Sequence, residues 1–189
     1  MLDYARAVTN GDGVHILAGP FYALAVLAAV AGVLKAVRPG PAVLALASVG
    51  ARVPAPAVRI GGAAEVAIGS AAVLAGGRLP AALLAASYAG FALFVVTALR
   101  TGGVVSSCGC FGKADTPPTV VHVAVNCVAA VVAALFASGS APSVADVVVD
   151  QPLVGLPFVG LVGICAWLTY LILAVLPTLH AARTTTRPA

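Results

Sequence analysis

From Ile16 to Leu34 the chain runs without a single charged residue. Leu79–Leu99, Thr119–Ala137 and Leu153–Leu176 are likewise uncharged, and Ile60–Gly76 is apolar but interrupted by Glu65. A helix needs about 20 apolar residues to cross the hydrocarbon of a bilayer. Only 8% of the residues are charged, against 61% hydrophobic, and a soluble domain usually carries about 25% charged residues. So few charges cannot cover a water-facing globule, and lipid must cover the rest. In lipid every backbone polar group has to be satisfied internally, which helices achieve within one segment. The sequence therefore predicts an all-α membrane protein, a bundle of four to five transmembrane helices in contact with the lipid bilayer.

Charges and breakers punctuate the runs. Lys35 and Arg38 follow the first, and Pro39-Gly40-Pro41 ends it, since proline cannot continue a helix interior. Ala42–Val49 is apolar but too short to span, and reads as an interfacial or re-entrant helix. Gly77, Arg78 and Pro80 form a turn between the second and third spans. Thr116-Pro117 reads as the start of the fourth span, with Thr116 as its cap. Met1–Gly13 holds Arg6 against Asp3 and Asp12 and lacks the basic stretch of a cleaved leader. The first span is therefore expected to be retained. The net charge of +4 forms no run, so no nucleic-acid partner is expected. With five spans and the N-terminus outside, most of the basic residues fall on the inner side, together with the loop Thr101–Pro118.

That loop carries the most distinctive motif, Ser107-Cys108-Gly109-Cys110-Phe111-Gly112-Lys113. Two thiols flanking one glycine can close only a small, strained disulfide. Such a bond exchanges readily, and the nearby Lys113 favours a thiolate. A dithiol that hands on oxidising equivalents fits this pattern. Three other readings stay open: a soft-metal site, a plain glycine turn, or a bond from either cysteine to Cys127. Cys127 and Cys165 themselves sit in apolar spans, where a free cysteine packs as a small hydrophobe.

Few polar residues lie inside the spans. A carboxylate there costs about 2.5–3.5 kcal/mol to insert, so Glu65 is expected inside the bundle, protonated, paired or facing a cavity. His122 and Asn126 stand four apart and share a face with Ala129, Ala130 and Ala133. His122 lies near the cysteine loop, where an imidazole can take or give a proton during thiol exchange. The expected site is thus Cys108, Cys110 and His122 as catalytic residues, with Glu65 and Asn126 as membrane-embedded polar groups. No resident metal or cofactor is evident, although a quinone is a possible exchange partner. One rival is a transport or metal-handling protein in which Cys108, Cys110 and His122 hold a soft metal, with Glu65 on a path through the bundle. Another is an assembly subunit without chemistry of its own.

The Cys-Gly-Cys-Phe-Gly string, followed by His122 and Asn126 and preceded by Arg59-x-Gly-Gly-Ala-Ala-Glu65, resembles the MauE family of methylamine-utilisation membrane proteins, grouped with DoxX-like redox-associated proteins. The likeness runs from about Gly19 to Ala137. It implies a four-helix core within residues 1–137. Residues 138–189 then add a polar loop, an extra span and a short basic tail. It also implies thiol-disulfide chemistry at Cys108 and Cys110, a thioredoxin-like partner, a place in the bacterial cytoplasmic membrane, and a part in maturing a disulfide-rich enzyme subunit. Disulfide maturation of exported enzymes takes place outside the cytoplasm, the side opposite to the one given by the charge count.

Overall fold

The computed structural model describes residues 12–101, 118–139, 143–145, 149 and 152–174. Six helices account for nearly all of them: α1 (Asp12–Val37), α2 (Gly40–Ser48), α3 (Ala55–Leu74), α4 (Arg78–Arg100), α5 (Val120–Ser138) and α6 (Pro152–Ala174). Four of these, α1, α3, α4 and α5, are long and apolar enough to cross a bilayer. The fold is a helical membrane bundle. The loop bearing Cys108 and Cys110 lies outside the described residues.

Prolines and glycines set the helix ends. Pro39 caps α2 and Pro41 stands in its first turn, just beyond the end of α1 at Val37, and the turn after α2 passes through Gly50 at φ 85. α3 begins five residues before the apolar run at Ile60, because Pro54 and Pro56 stand at its cap and first turn, where proline costs no hydrogen bond. Gly76 and Gly77 both adopt positive φ in the tight turn to α4, a conformation glycine takes without steric cost. α5 starts at Val120 with Thr119 as its cap; the Thr116-Pro117 step expected to open it lies outside the described residues.

The four spans alternate in direction and close a ring in which α1 packs on α3 and α5, and α4 packs on the same two. α6 leans on the outside of α1. At one end, where α1 and α6 begin and α5 finishes, the core is aromatic. Phe21 stacks on Phe136 with centroids 3.9 Å apart, and Tyr22 meets Phe136 and Phe158 edge-on. Between α6, α1 and α5 an apolar groove of about 450 Å³ remains, lined by Pro20, Leu24, Val128 and Cys165 among others.

The tightest contact is between α1 and α3. Helices in lipid gain little from hydrophobic burial against each other and associate through close packing of small residues. Gly32 of α1 and Gly62 of α3 lie so near that a Cβ built on either would meet the other's carbonyl oxygen at 2.5–2.6 Å. Gly69 lies equally close to Ala25 and Ala29. α4 is tied to α1 differently, by the Tyr88 hydroxyl donating to the Leu24 carbonyl at 2.7 Å. The outward faces carry Ile60, Leu93, Val128 and Trp167, as a lipid-facing surface requires.

Candidate functional site

The polar side chains gather at the other end of the bundle, where α1 and α4 finish, α5 begins, and the cysteine loop leaves and returns. Arg38, Arg52, Arg59 and Arg100 also belong to this end, while Arg78 lies at the opposite one.

Glu65 is paired. The Lys35 ammonium donates to both carboxylate oxygens, at 2.7 and 2.6 Å. The two side chains are only 11% and 13% exposed. The Gly32–Gly62 contact explains the short reach: it brings the backbones of α1 and α3 together one turn from the pair. Lys35 Nζ also sits 4.3 Å from the centre of the Phe91 ring of α4, a cation–π distance. From sequence alone Lys35 reads as a flanking charge that marks the end of the first span. In the structure it lies inside α1, buried, and α1 runs on to Val37. A carboxylate and an ammonium buried in apolar helices each need a partner, and here the two are 30 residues apart in sequence.

His122 is buried near the start of α5 and both ring nitrogens are engaged. Nε2 lies 3.1 Å from the Leu173 carbonyl of α6. A carbonyl only accepts, so Nε2 carries the hydrogen. Nδ1 is then the acceptor, facing the Thr119 N–H at 3.3 Å and the Thr119 hydroxyl at 2.9 Å. His122 thus closes a capping box with Thr119, in the place usually held by Glu or Gln. It also latches the end of α6 to the bundle. Asn126 is buried on the same face and donates to the His122 carbonyl at 2.7 Å. Ala129 and Ala133 continue this buried face. Thr119 and Leu173 carried no sequence signal, because backbone and hydroxyl partners leave no trace in hydropathy. Thr119→Ala removes one hydrogen bond to the ring and is expected to cost about 1 kcal/mol, measured as a lowered unfolding midpoint in detergent micelles.

Two cavities meet at Lys35. The smaller, of about 30 Å³, lies between Lys35, Tyr88, His122, Asn126 and Leu173, room for about two waters. The larger, of about 400 Å³, lies under α2 between α3 and α4, with Lys35 and Glu65 at its floor. The structure therefore brings Glu65, His122 and Asn126 to one end of the bundle, joined through Lys35 and the small cavity. Cys127 is free and exposed on α5, and Cys165 is free and half-buried on α6. Among the described residues no cluster of three or more His, Cys, Asp or Glu is placed to hold a metal ion.

Residues 14–139, about two thirds of the chain, match the family model described as Methylamine utilisation protein MauE. The match covers α1 to α5 and stops before α6. The chain matches no curated protein and no solved structure.

Proposed function

The chain belongs to the MauE family, and from that membership we propose that it is a membrane thiol-disulfide relay of the bacterial cytoplasmic membrane. In this reading residues 1–137 form the working core and α6 is an added span. Cys108 and Cys110 cycle between dithiol and disulfide and exchange with a thioredoxin-like partner, in support of disulfide formation in a client protein such as a methylamine-oxidising enzyme. The observation that carries the reading is that the two described ends flanking the loop, Thr101 and Pro118, lie at the polar end of the bundle. The described chain enters the loop from Thr101 and returns at Pro118, one residue before the Thr119 hydroxyl that faces His122 Nδ1 at 2.9 Å. A thiol proton released in the loop passes to the Thr119 hydroxyl, whose own proton moves to Nδ1. The resulting imidazolium keeps its Nε2–H on the Leu173 carbonyl.

The test is differential thiol labelling in membranes, in a Cys127→Ser, Cys165→Ser background so that only the loop thiols are read. Cys108 and Cys110 are expected to label after reductant and to be protected together after oxidant. A pair that stays labelled under both conditions would end the relay reading. Use of a membrane-impermeant reagent on intact cells reads the side of the membrane in the same experiment.

A further inference from the structure

We propose that the cleft beneath α2 is a binding site for a membrane quinone, with the ring of the quinone seated on the Lys35–Glu65 pair. Its volume of about 400 Å³ falls within the range of small-molecule sites, about 300–1,000 Å³. The walls are apolar except for Lys35, Glu65 and Ser87. Gly61 and Gly90 face one another's helices across the cleft, both exposed, and a Cβ on either would meet nothing within 4 Å. The slot is therefore kept open by missing side chains and is reached from the bilayer. Phe91 and Phe94 supply aromatic surface beside the floor, suited to a planar ring.

The charge pattern selects the head group. The two floor charges cancel, so an anionic lipid head gains nothing there and would meet the Glu65 carboxylate. Two of the three ammonium hydrogens go to Glu65, which leaves one donor for a carbonyl oxygen. Each Glu65 oxygen has a further lone pair for a hydroxyl. A donor and an acceptor side by side, at the bottom of an apolar slot, suit a molecule whose head is a carbonyl when oxidised and a hydroxyl when reduced.

The purpose of the site rests on the relay reading. When the dithiol closes, two S–H bonds break and one S–S bond forms. The two electrons and two protons released convert the two carbonyls of the quinone to the hydroxyls of a quinol. Binding can be tested without that step. The full chain, purified in lipid nanodiscs, is titrated with a decyl-tailed para-benzoquinone, and a photoreactive azido derivative marks the contact peptides. Saturable binding is expected, with label on α3 and α4. Gly90→Leu fills the slot and should weaken binding roughly tenfold or more while the unfolding midpoint is kept. Gly163→Leu on α6, also in open space, should change neither. A Cys108→Ser, Cys110→Ser variant should bind as the parent does, so loss of the relay and loss of the site are read separately. Absence of saturable binding, equal labelling of the Gly90→Leu variant, or a co-purifying neutral lipid that the quinone cannot displace would each overturn the proposal.

Discussion

Gly62→Leu is expected to abolish the folded bundle, whereas Gly61→Leu, one residue away, leaves it intact. A Cβ at position 62 would meet the Gly32 carbonyl oxygen at 2.6 Å, the Ala36 nitrogen at 2.9 Å and the Lys35 Cβ at 3.1 Å. Two of these three are backbone atoms of α1, which cannot swing aside as a side chain does. The helices would have to separate, and the separation would reach the Gly69 contact with Ala25 and Ala29 on the same interface. Overpacking a core costs about 1–3 kcal/mol, and more where rigid elements collide. In lipid there is no compensating gain from hiding apolar surface, so loss of close packing removes the main attraction between these two helices. Thermal unfolding in micelles is the measurement, with Gly61→Leu as the internal control, since a Cβ there meets nothing within 4 Å. Equal midpoints for the two variants would show that α1 and α3 do not approach through Gly62.

The contrast between neighbouring glycines marks what a sequence can and cannot say about such a chain. Apolar runs disclose α1, α3, α4 and α5, because hydrocarbon tolerates little else, and Pro39-Gly40-Pro41 and Gly77-Arg78 disclose where they break. Faces are another matter. A helix that is apolar all round has no polar stripe to say which side meets which neighbour. Gly61 and Gly62 are therefore equivalent on paper, though one lines an open cleft and the other touches a backbone. For the same reason Glu65 is legible as a group inside the bundle while its partner is not. The cap of α5 is Thr119, the first residue of the apolar run Thr119–Ala137. The capping role of His122 depends on a backbone N–H and on a carbonyl 51 residues away, neither of which is encoded in residue type.

Breaking the Lys35–Glu65 pair from one side should destabilise the protein far more than removing both charges at once. A single substitution that strands one charge in a buried site costs about 3–5 kcal/mol, whereas replacing the pair by apolar residues of similar volume is often neutral. Glu65→Leu and Lys35→Met are therefore each expected to lower the unfolding free energy by several kcal/mol, and the double variant to recover most of the loss. The coupling is read from a double-mutant cycle. The two singles should also differ. After Glu65→Leu the ammonium keeps the Phe91 ring, 4.3 Å away. Lys35 stands two residues from the end of α1, and its long stem can carry the charge toward the bundle end. After Lys35→Met the carboxylate sits midway along α3 on a shorter stem, with no such exit, so this variant should fall at the costlier end of the range. Additive losses in the cycle would mean that the two charges are independently solvated and that the pair is no anchor. If the double variant folds as expected, it also separates structure from ligand recognition. The bundle no longer needs the charges, but a quinone in the cleft does, and its binding should vanish while the unfolding midpoint stays near that of the parent.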